Sequence, residues 1–501
     1  MRWREAMAPV PMSRVALVTP ADRVRATLVR VADAGTVQLD QAVPAAELAL
    51  PSAAGALHRL AAGRAITAAL APDPPDLVDL ERRGRTDLLA GEVELAGQAA
   101  QAVVRGQVAA WTGWTPTANL APLAHSLAEV GAAVAPLPRP GGVEPPTSPA
   151  PSAARRTFAP LIDAYTTIPY RDLDPAVIAG LAYAVMFGAM FGDVGHGALL
   201  LAGALLIRFG RVRRLAKLRP HWAFIAAAAV AAMGFGLALG EFFGPTGLAP
   251  VLWLSPMDEP VRLLLAGVGL GAVLLAGAYT LGTVNRVREG GWVAALYAPS
   301  GLAGALLFVA AGLGAAAWHW ASAAAGLAGA VLALAGLTLS FVGLLAAAGG
   351  GPAGAVQATI ELFDLVIRLG ANVVSFARLA AFGLTHAVLG WVVWDAATGL
   401  WGGGGAGAVA AVAVFLAGNA AAFALEALVA GIQALRLEYY ELFSRVFALQ
   451  GRPFHPWHVT TIPPAGPAPS TPSTPSTPDK AADGGSPPPV PAMEVPSCTS
   501  G

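Results

Sequence analysis

Apolar and polar positions divide the chain into a mixed N-terminal third, a long apolar region and a polar end. A bilayer-spanning helix needs about 20 consecutive apolar residues. Apolar runs of that order fill the second region, at 176–207 (interrupted by FGDVGHG), 221–242, 261–285, 291–316, 321–346, 355–398 and 405–447. The pattern predicts an α-helical polytopic membrane protein whose last two helices are long enough to tilt strongly or to extend beyond the bilayer.

The N-terminal third alternates short strand-like and helix-like runs. VALVTP (15–20) and TVQLD (36–40) flank a helical run that ends at Gly35, which is a β-α-β pattern, and AAWTGWTP (109–116) reads as a later strand. The chain is therefore predicted to form four parts. These are an α/β cytoplasmic domain (1–137), a Pro-rich linker (138–155), a transmembrane domain (156–460) and a disordered Pro/Ser/Thr tail (461–501).

Composition strengthens the membrane prediction and excludes several classes of function. Hydrophobic residues make up 55% and charged residues 12% of the chain, against roughly 25% charged in soluble domains. The formal net charge is zero, so nothing indicates nucleic-acid binding. The single cysteine, Cys498, excludes a disulfide framework or a thiolate metal cluster. No GxxxxGK[ST] loop is present, so we do not expect this chain to hydrolyse ATP, and the arginine-bearing first thirty residues do not resemble a secretory signal.

Basic loops predict the topology. The segment 208–219 carries five arginines and a lysine, and Arg286 and Arg288 follow a later run, which places both loops in the cytoplasm by the positive-inside rule. A cytoplasmic N-terminal domain then requires 176–207 to cross an even number of times. A hairpin of two short helices satisfies this, gives about eight crossings and leaves both termini cytoplasmic. One long helix is the alternative, because each arm has only about sixteen residues.

One arginine, Arg378, lies in the middle of an apolar run. Placing it near the bilayer centre costs at least ~2.5–3.5 kcal/mol, so we expect something opposite to use the charge. On the same predicted helix, Asp364 and Thr385 fall at steps of seven or fourteen from Arg378, and Ser375 lies three residues before it. His386 lies beside this polar line.

The final helix repeats the arrangement, with Asn419, Glu426 and Gln433 at steps of seven and Arg436 one turn further on. Two polar lines through apolar helices predict a proton or ion path. Structural alternatives stay open for each residue. Glu426 could serve as a partner of the nearby Arg436, Arg436 could snorkel to the interface, His386 could be a packing histidine and Asp364 could pair with Arg368.

The FGDVGHG interruption contains two metal-ligating residue types. Two ligands in one turn are too few for a metal site, so we interpret Gly192, Asp193, Gly195 and His196 as a glycine-broken turn with polar caps. The residues themselves predict no metal and no cofactor.

Three separated motifs resemble the membrane stator subunit of V/A-type rotary ATPases, called a in eukaryotes and I in bacteria and archaea. They are IPYRDLDP…MFGAMFGDVGHG, VSFARLAAFGLTHAVL, and EALVAGIQALRLEYYELFSRVF followed by GRPF. GWTP (113–116) looks like the Gly-Trp-x-Pro element near the end of that family's cytoplasmic domain. Two features depart from the family: the cytoplasmic domain has about half the usual length, and Arg368 replaces what is more often a smaller or uncharged residue.

The resemblance implies a subunit that is not itself catalytic for ATP. Arg378 would face the carboxylates of a rotating proteolipid ring, and Glu426, His386, Arg436 and Asp364 would line two half-channels for H⁺ or Na⁺. We expect Gln433, Ser375 and Thr385 on the same path. The partners implied are the proteolipid c/K ring, peripheral-stalk subunits of the E/G type, a central-stalk subunit of the d/C type, the V1 catalytic sector indirectly, and the bilayer of a prokaryotic plasma membrane.

Two other classes of function compete with this one. A stand-alone secondary transporter would use Arg378 to bind an anionic substrate, but such folds usually contain internal repeats, and the two halves of this membrane region do not look alike. A purely structural scaffold would not need charges at the membrane centre.

Overall fold

A computed structural model describes residues 7–41, 52–61, 66–210, 213–447 and 450–462. Most of the predicted tail thus lies outside the described residues. The strands and helices of the N-terminal part are β1 Met12–Pro20, α1 Val24–Ala34, β2 Gln38–Leu39, α2 Ser52–Ala61, β3 Ala69–Leu70, α3 Leu77–Arg82, α4 Thr86–Ala100, β4 Val103–Arg105, β5 Val108–Pro116, α5 Leu120–Ala128 and β6 Ala133–Leu137.

The N-terminal part is built on an antiparallel sheet with strand order β2-β5-β1-β6, and β4 pairs with the edge of β5. The β-α-β run of the sequence is split, because β5 lies between β1 and β2. Alternate residues of β1 and β5, such as Leu17 and Trp111, are buried under α1, which contributes Leu28. The helix α1 ends at Gly35, whose φ of 56° is in the left-handed region that glycine adopts without strain.

The remainder of the chain is helical. Its helices are α6 Ala153–Asp163, α7 Ala176–Met190, α8 Val194–Arg208, α9 Trp222–Leu239, α10 Pro260–Tyr297, α11 Leu302–Trp320, α12 Ala323–Ala347, α13 Gly351–Ser375, α14 Ala377–Trp401 and α15 Gly404–Leu437. Among the described residues, six helical segments are long and apolar enough to cross a bilayer: 216–239, 260–297, 302–320, 323–347, 351–401 and 404–446. These segments confirm a mostly helical, polytopic membrane protein.

The two short helices α7 and α8 run antiparallel to each other and pack on α9. The ring centroids of Tyr183, on α7, and Phe224, near the start of α9, are 4.9 Å apart. Further along both helices, Gly188 of α7 lies against Ala231 of α9. Helices α7 and α9 therefore run parallel to each other. The end of α8 returns to the start of α9, where the Arg208 guanidinium lies over Trp222 at 4.4 Å. The chain therefore reverses at FGDVGHG, between two arms of 15 residues each.

Two predicted helix boundaries differ in the structure. The predicted break between 285 and 291 is present as a kink within α10, at Gly291 (φ 76°, ψ −172°), but the chain leaves this helix only after Tyr297. The predicted single run 355–398 is instead interrupted at Phe376, whose N–H donates to the Val373 carbonyl in a tighter, three-residue turn. Phe376 is fully buried, and its ring fills the space that a side chain on Gly271 of α10 would need.

The segment after the last helix returns to the N-terminal sheet. After α15 the chain makes a π-helix, Glu438–Phe443, and a short turn, Ser444–Val446. Further on, the Trp457 N–H donates to the Val37 carbonyl (2.9 Å), and a two-residue strand, β7 Thr460–Thr461, pairs parallel with β3. Residues 457–462 therefore fasten the end of the membrane helices to the N-terminal part, which the sequence pattern did not indicate.

One end of the helix bundle carries the basic loops and the N-terminal part together. Asn285 of α10 accepts a hydrogen bond from the Leu173 N–H (3.1 Å) and donates one to the Val446 carbonyl (3.3 Å). The same end holds the Arg208–Trp222 contact. The basic segments therefore share one side, as the distribution of arginines predicted.

Candidate ion-path site

Arg378 lies in the first turn of α14, directly after the interruption at Phe376. Its Nη1 atom is buried and has no hydrogen-bond partner among the described residues. The charges that act on it most are those of Arg436, which repels it, and of Glu441, which attracts it. No ion pair within 4 Å is formed by Arg378 in the part of the chain that the structure describes. A buried guanidinium nitrogen without an acceptor is costly, which makes Arg378 a candidate functional residue.

The surroundings of Arg378 come from the end of the last helix. Glu441, on the π-helix, accepts a hydrogen bond from Ser375, while its second oxygen is buried without a partner. The Gln433 side-chain oxygen is likewise buried and unpaired, whereas Arg436 is exposed. Because π-helical turns re-aim side chains and are frequent at functional sites, the turn is consistent with a functional role for this end. We call Ser375, Arg378, Gln433, Arg436 and Glu441 the arginine group.

A second polar group lies further along the same two helices. His386 is 4% exposed, and its Nδ1 contacts the Glu426 carboxylate directly. Its Nε2 faces Asp193, at 3.9 Å from Oδ2. The expectation that Glu426 lies beside Arg436 is wrong, because Arg436 is ten residues further along the helix, about 15 Å away.

The FGDVGHG turn belongs to this second group. Asp193 caps α8 as predicted: its Oδ1 accepts from the His196 N–H (2.8 Å), and its Oδ2 accepts from the Gly244 N–H (3.0 Å). His196 is 1% exposed, and its Nδ1 lies 3.7 Å from Asp193 Oδ1. We call Asp193, His196, His386 and Glu426 the histidine–carboxylate group. No pattern along the chain indicates this group, because its members lie on three helices and periodicity does not show which helices face each other.

The close packing around this group depends on its glycines. A side chain on Gly195 would meet the Phe243 ring at 2.4 Å, so the loop after α9 can close over the turn. Phe191 and Phe423 flank His196, with ring centroids 5.8 Å away in each case. Glu241, on the same loop, is buried with one unpaired carboxylate oxygen. The group is therefore enclosed by aromatic rings on most sides.

Three sequence-predicted residues stay outside both groups. Asp364 is exposed and pairs with Arg368 at 2.7 Å, one turn away on α13. The Thr385 hydroxyl is exposed and donates to the Ala381 carbonyl (2.9 Å). Asn419 is buried and donates to the Phe415 carbonyl (2.9 Å) on its own helix.

The two polar groups are separated by an apolar layer. Arg378 and His386 are eight residues apart on α14, which corresponds to about 12 Å along the helix. Between them, Leu379, Ala380 and Gly383 are buried against neighbouring helices. Ionisable side chains are costly inside a membrane protein, so their presence at two depths of this helix bundle marks a candidate functional site.

Comparison with known proteins finds relatives of this chain among the membrane subunits of V-type and A-type ATPases. The model of the V-type ATPase 116kDa subunit family matches residues 99–220. The A-type ATP synthase subunit I of Aeropyrum pernix is 27% identical over 348 residues, which is 60% of this chain and 49% of that protein. The V-type ATP synthase subunit I 2 of Treponema pallidum is 31% identical over 158 residues (26% of this chain, 34% of that protein). The vacuolar proton translocating ATPase 100 kDa subunit of Dictyostelium discoideum is 44% identical over 61 residues (12% and 8%).

These matches confirm the resemblance that the motifs indicated. The chain is a homologue of the V/A-type ATPase membrane subunit called I or a. It spans about half the length of the curated relatives that it matches over the greatest length.

Proposed function

We propose that the chain is the membrane stator subunit of a V/A-type rotary ATPase or ATP synthase, forming two ion half-channels against a rotating proteolipid ring. The observation that carries the proposal is the Arg378 guanidinium, which is buried at Nη1 and lacks a partner in the described chain. A carboxylate on another, moving subunit would supply the missing acceptor intermittently. The homology to subunits I and a supports this reading.

Arg378 would act as a fixed cation between the half-channels. A ring carboxyl that arrives beside it is favoured in the ionised form and gives up its proton. The guanidinium itself stays protonated, so it does not carry protons across the apolar layer and blocks a direct leak. Glu441 and Ser375 would hold Arg378 in place from the end that carries the basic loops.

The histidine–carboxylate group would serve the other half-channel. His386 and Glu426 are in direct contact, so a proton can pass between an imidazole nitrogen and a carboxylate oxygen without large movement. Asp193 extends the line of groups to the loop after α9. Since only a neutral carboxyl enters lipid readily, a ring site must be reprotonated by such a group before it rotates away, which couples rotation to ion flux.

The partners in this proposal are the proteolipid c/K ring at the face of α13–α15, and E/G-type stalk subunits and a d/C-type subunit near the N-terminal part. Exposed apolar side chains on that face, Phe363, Val374 and Ile432, are consistent with a lipid or ring contact. We propose a prokaryotic plasma membrane as the location, with the basic-loop side and both termini in the cytoplasm. Six long helices and the two 15-residue helices α7 and α8 add up to eight crossings only if α7 and α8 each cross the bilayer.

Substitution of Arg378 tests the proposal. In the assembled complex, Arg378→Ala and Arg378→Lys are expected to abolish ATP-driven ion pumping into vesicles, since neither restores a planar guanidinium. Arg262→Ala is the matched control, because Arg262 is an exposed arginine at the start of α10, paired with Glu259. Coupled pumping that survives both Arg378 substitutions would rule out the stator mechanism.

A further inference from the structure

We propose that Asp193, His196 and His386 form a binding site for a divalent transition-metal ion of the zinc class, with Glu426 orienting His386. The FGDVGHG turn alone provides two ligands, too few for such a site. Helix α14 brings His386 as a third ligand, and all three residues are buried.

The ligand atoms are close to a coordinating arrangement. One atom from each of the three side chains lies within 4.8 Å of the others. His196 Nδ1 is 3.7 Å from Asp193 Oδ1, and His386 Nε2 is 3.9 Å from Asp193 Oδ2. In a tetrahedral zinc site with bonds of about 2.0–2.1 Å, neighbouring ligand atoms are about 3.4 Å apart. The two histidines approach different oxygens of Asp193, so the three side chains would have to draw together around a bound ion.

The groups that orient the ligands are also present. The contact between His386 Nδ1 and the Glu426 carboxylate leaves Nε2 directed at Asp193. This is the carboxylate–histidine arrangement that fixes the tautomer and raises the basicity of metal-ligating histidines. Asp193 is held by two backbone N–H donors, from His196 and Gly244, so its carboxylate is already oriented.

His196 provides an independent indication of a ligand. Its side chain is 1% exposed, and neither ring nitrogen makes a hydrogen bond of normal geometry in the described part of the chain, although the backbone of Asn419 lies close to the ring. Leaving a buried polar atom unpaired costs about 1–3 kcal/mol, so a packing role alone does not explain a histidine here. A metal ion bonded to one imidazole nitrogen would remove part of that cost.

The ligand chemistry selects the ion. Two imidazoles and one carboxylate suit Zn²⁺, Co²⁺ and Ni²⁺, whereas Mg²⁺ and Ca²⁺ prefer six or more oxygen ligands. Three protein ligands leave a fourth position for water. Glu426, whose side chain is 12% exposed, marks the side from which a hydrated ion can reach the group.

A bound ion would occupy Asp193 and His386 Nε2. If the proposed function holds, these are groups of one half-channel, and zinc would inhibit pumping from that side. This consequence rests on the proposed function, but the binding site does not.

Metal binding is measured on the full-length chain, purified, stripped with chelator and placed in nanodiscs. Titration with Co²⁺ is expected to give one saturable equivalent with the intense visible absorption of a four-coordinate site, and Zn²⁺ should displace it. X-ray absorption of the zinc-loaded wild-type chain should show two imidazole ligands, a readout that needs no variant. Absence of stoichiometric binding, or a zinc environment without imidazoles, overturns the proposal.

Variants then locate the ion. His196→Ala should weaken Zn²⁺ binding at least 100-fold, and Glu426→Gln should weaken it about 10–100-fold, as for other orienting carboxylates. His319→Ala, at the exposed end of α11, is the matched control and should bind like wild type. Equal affinity of wild type and His196→Ala would place the ion elsewhere and refute the site. Because the assay measures binding and not pumping, its failure would leave the proposed function standing.

Discussion

Replacing Asp172 by asparagine is expected to flatten the pH dependence of stability. Asp172 precedes α7, is fully buried, and has no hydrogen-bond partner for either carboxylate oxygen within the described residues. Glu289 of α10 faces it with one unpaired oxygen, while Arg286 pairs with the other. Burial raises the pKa of Asp172 to about 8, and the neighbouring Glu289 carboxyl adds to the rise. The Asp172 carboxyl is therefore mostly protonated at neutral pH.

The sign of the effect follows from proton binding. The unfolded chain releases the Asp172 proton near pH 4, whereas the folded chain keeps it until about pH 8. Between these values the folded state binds the extra proton, so stability falls as pH rises, by up to about 1.4 kcal/mol per pH unit. From pH 6 to pH 8 the loss attributable to Asp172 is about 2 kcal/mol. Asparagine resembles the protonated acid and carries no proton to lose.

Thermal unfolding of the detergent-solubilised chain, followed by tryptophan fluorescence from pH 5 to pH 9, measures this difference. The variant should already be the more stable protein at pH 6, and its advantage in unfolding temperature should widen by several degrees between pH 6 and pH 9. Asp33→Asn, at an exposed position on α1, controls for the loss of a charge. Parallel curves for Asp172→Asn and wild type would show that folding does not raise the pKa of Asp172.

Two further predictions concern packing. Gly271→Ala places a Cβ 2.1 Å from Phe376, so we expect the interruption before Arg378 to shift and ATP-driven pumping of the assembled complex to fall at least tenfold. Gly269→Ala has open space and should pump normally; equal activity of the two variants would refute the link between this packing and the arginine. Val459→Ala, at 2% exposure, should cost about 1–3 kcal/mol and speed limited proteolysis of residues 450–462, whereas exposed Thr460→Ala should not. Identical cleavage rates in these two variants would contradict the structural role of the C-terminal segment.

The sequence predicts the helical elements well because each spanning run must satisfy its own backbone hydrogen bonds in lipid. It also predicts the chain reversal at FGDVGHG and the cap by Asp193. The interruption at Phe376 was not predictable, because no proline or glycine marks it. The Phe376 ring packs against Gly271, about a hundred residues away in the chain, and no local pattern indicates that contact.

Spacing along one helix does not show which helices face each other, and the contacts between helices had to come from the structure. Heptad spacing puts Glu426 and Arg436 near one face of a helix, but the partner of Glu426 is His386, on the preceding helix. The same spacing aligned Asp364 and Thr385 with Arg378, and the structure leaves both outside the polar groups. The return of residues 457–462 to the N-terminal sheet is a long-range pairing of the same unpredictable kind.

Disulfide cross-linking in the assembled complex tests most directly whether moving carboxylates pass the face that carries Arg378. Val374 is 68% exposed and lies one turn before Arg378, and Leu334 on α12 is 69% exposed. With a cysteine placed next to the ring carboxylate, Val374→Cys should cross-link to the ring and stop rotation, and Leu334→Cys should not. Cross-linking at Leu334 but not at Val374 would contradict the proposal that Arg378 faces the ring.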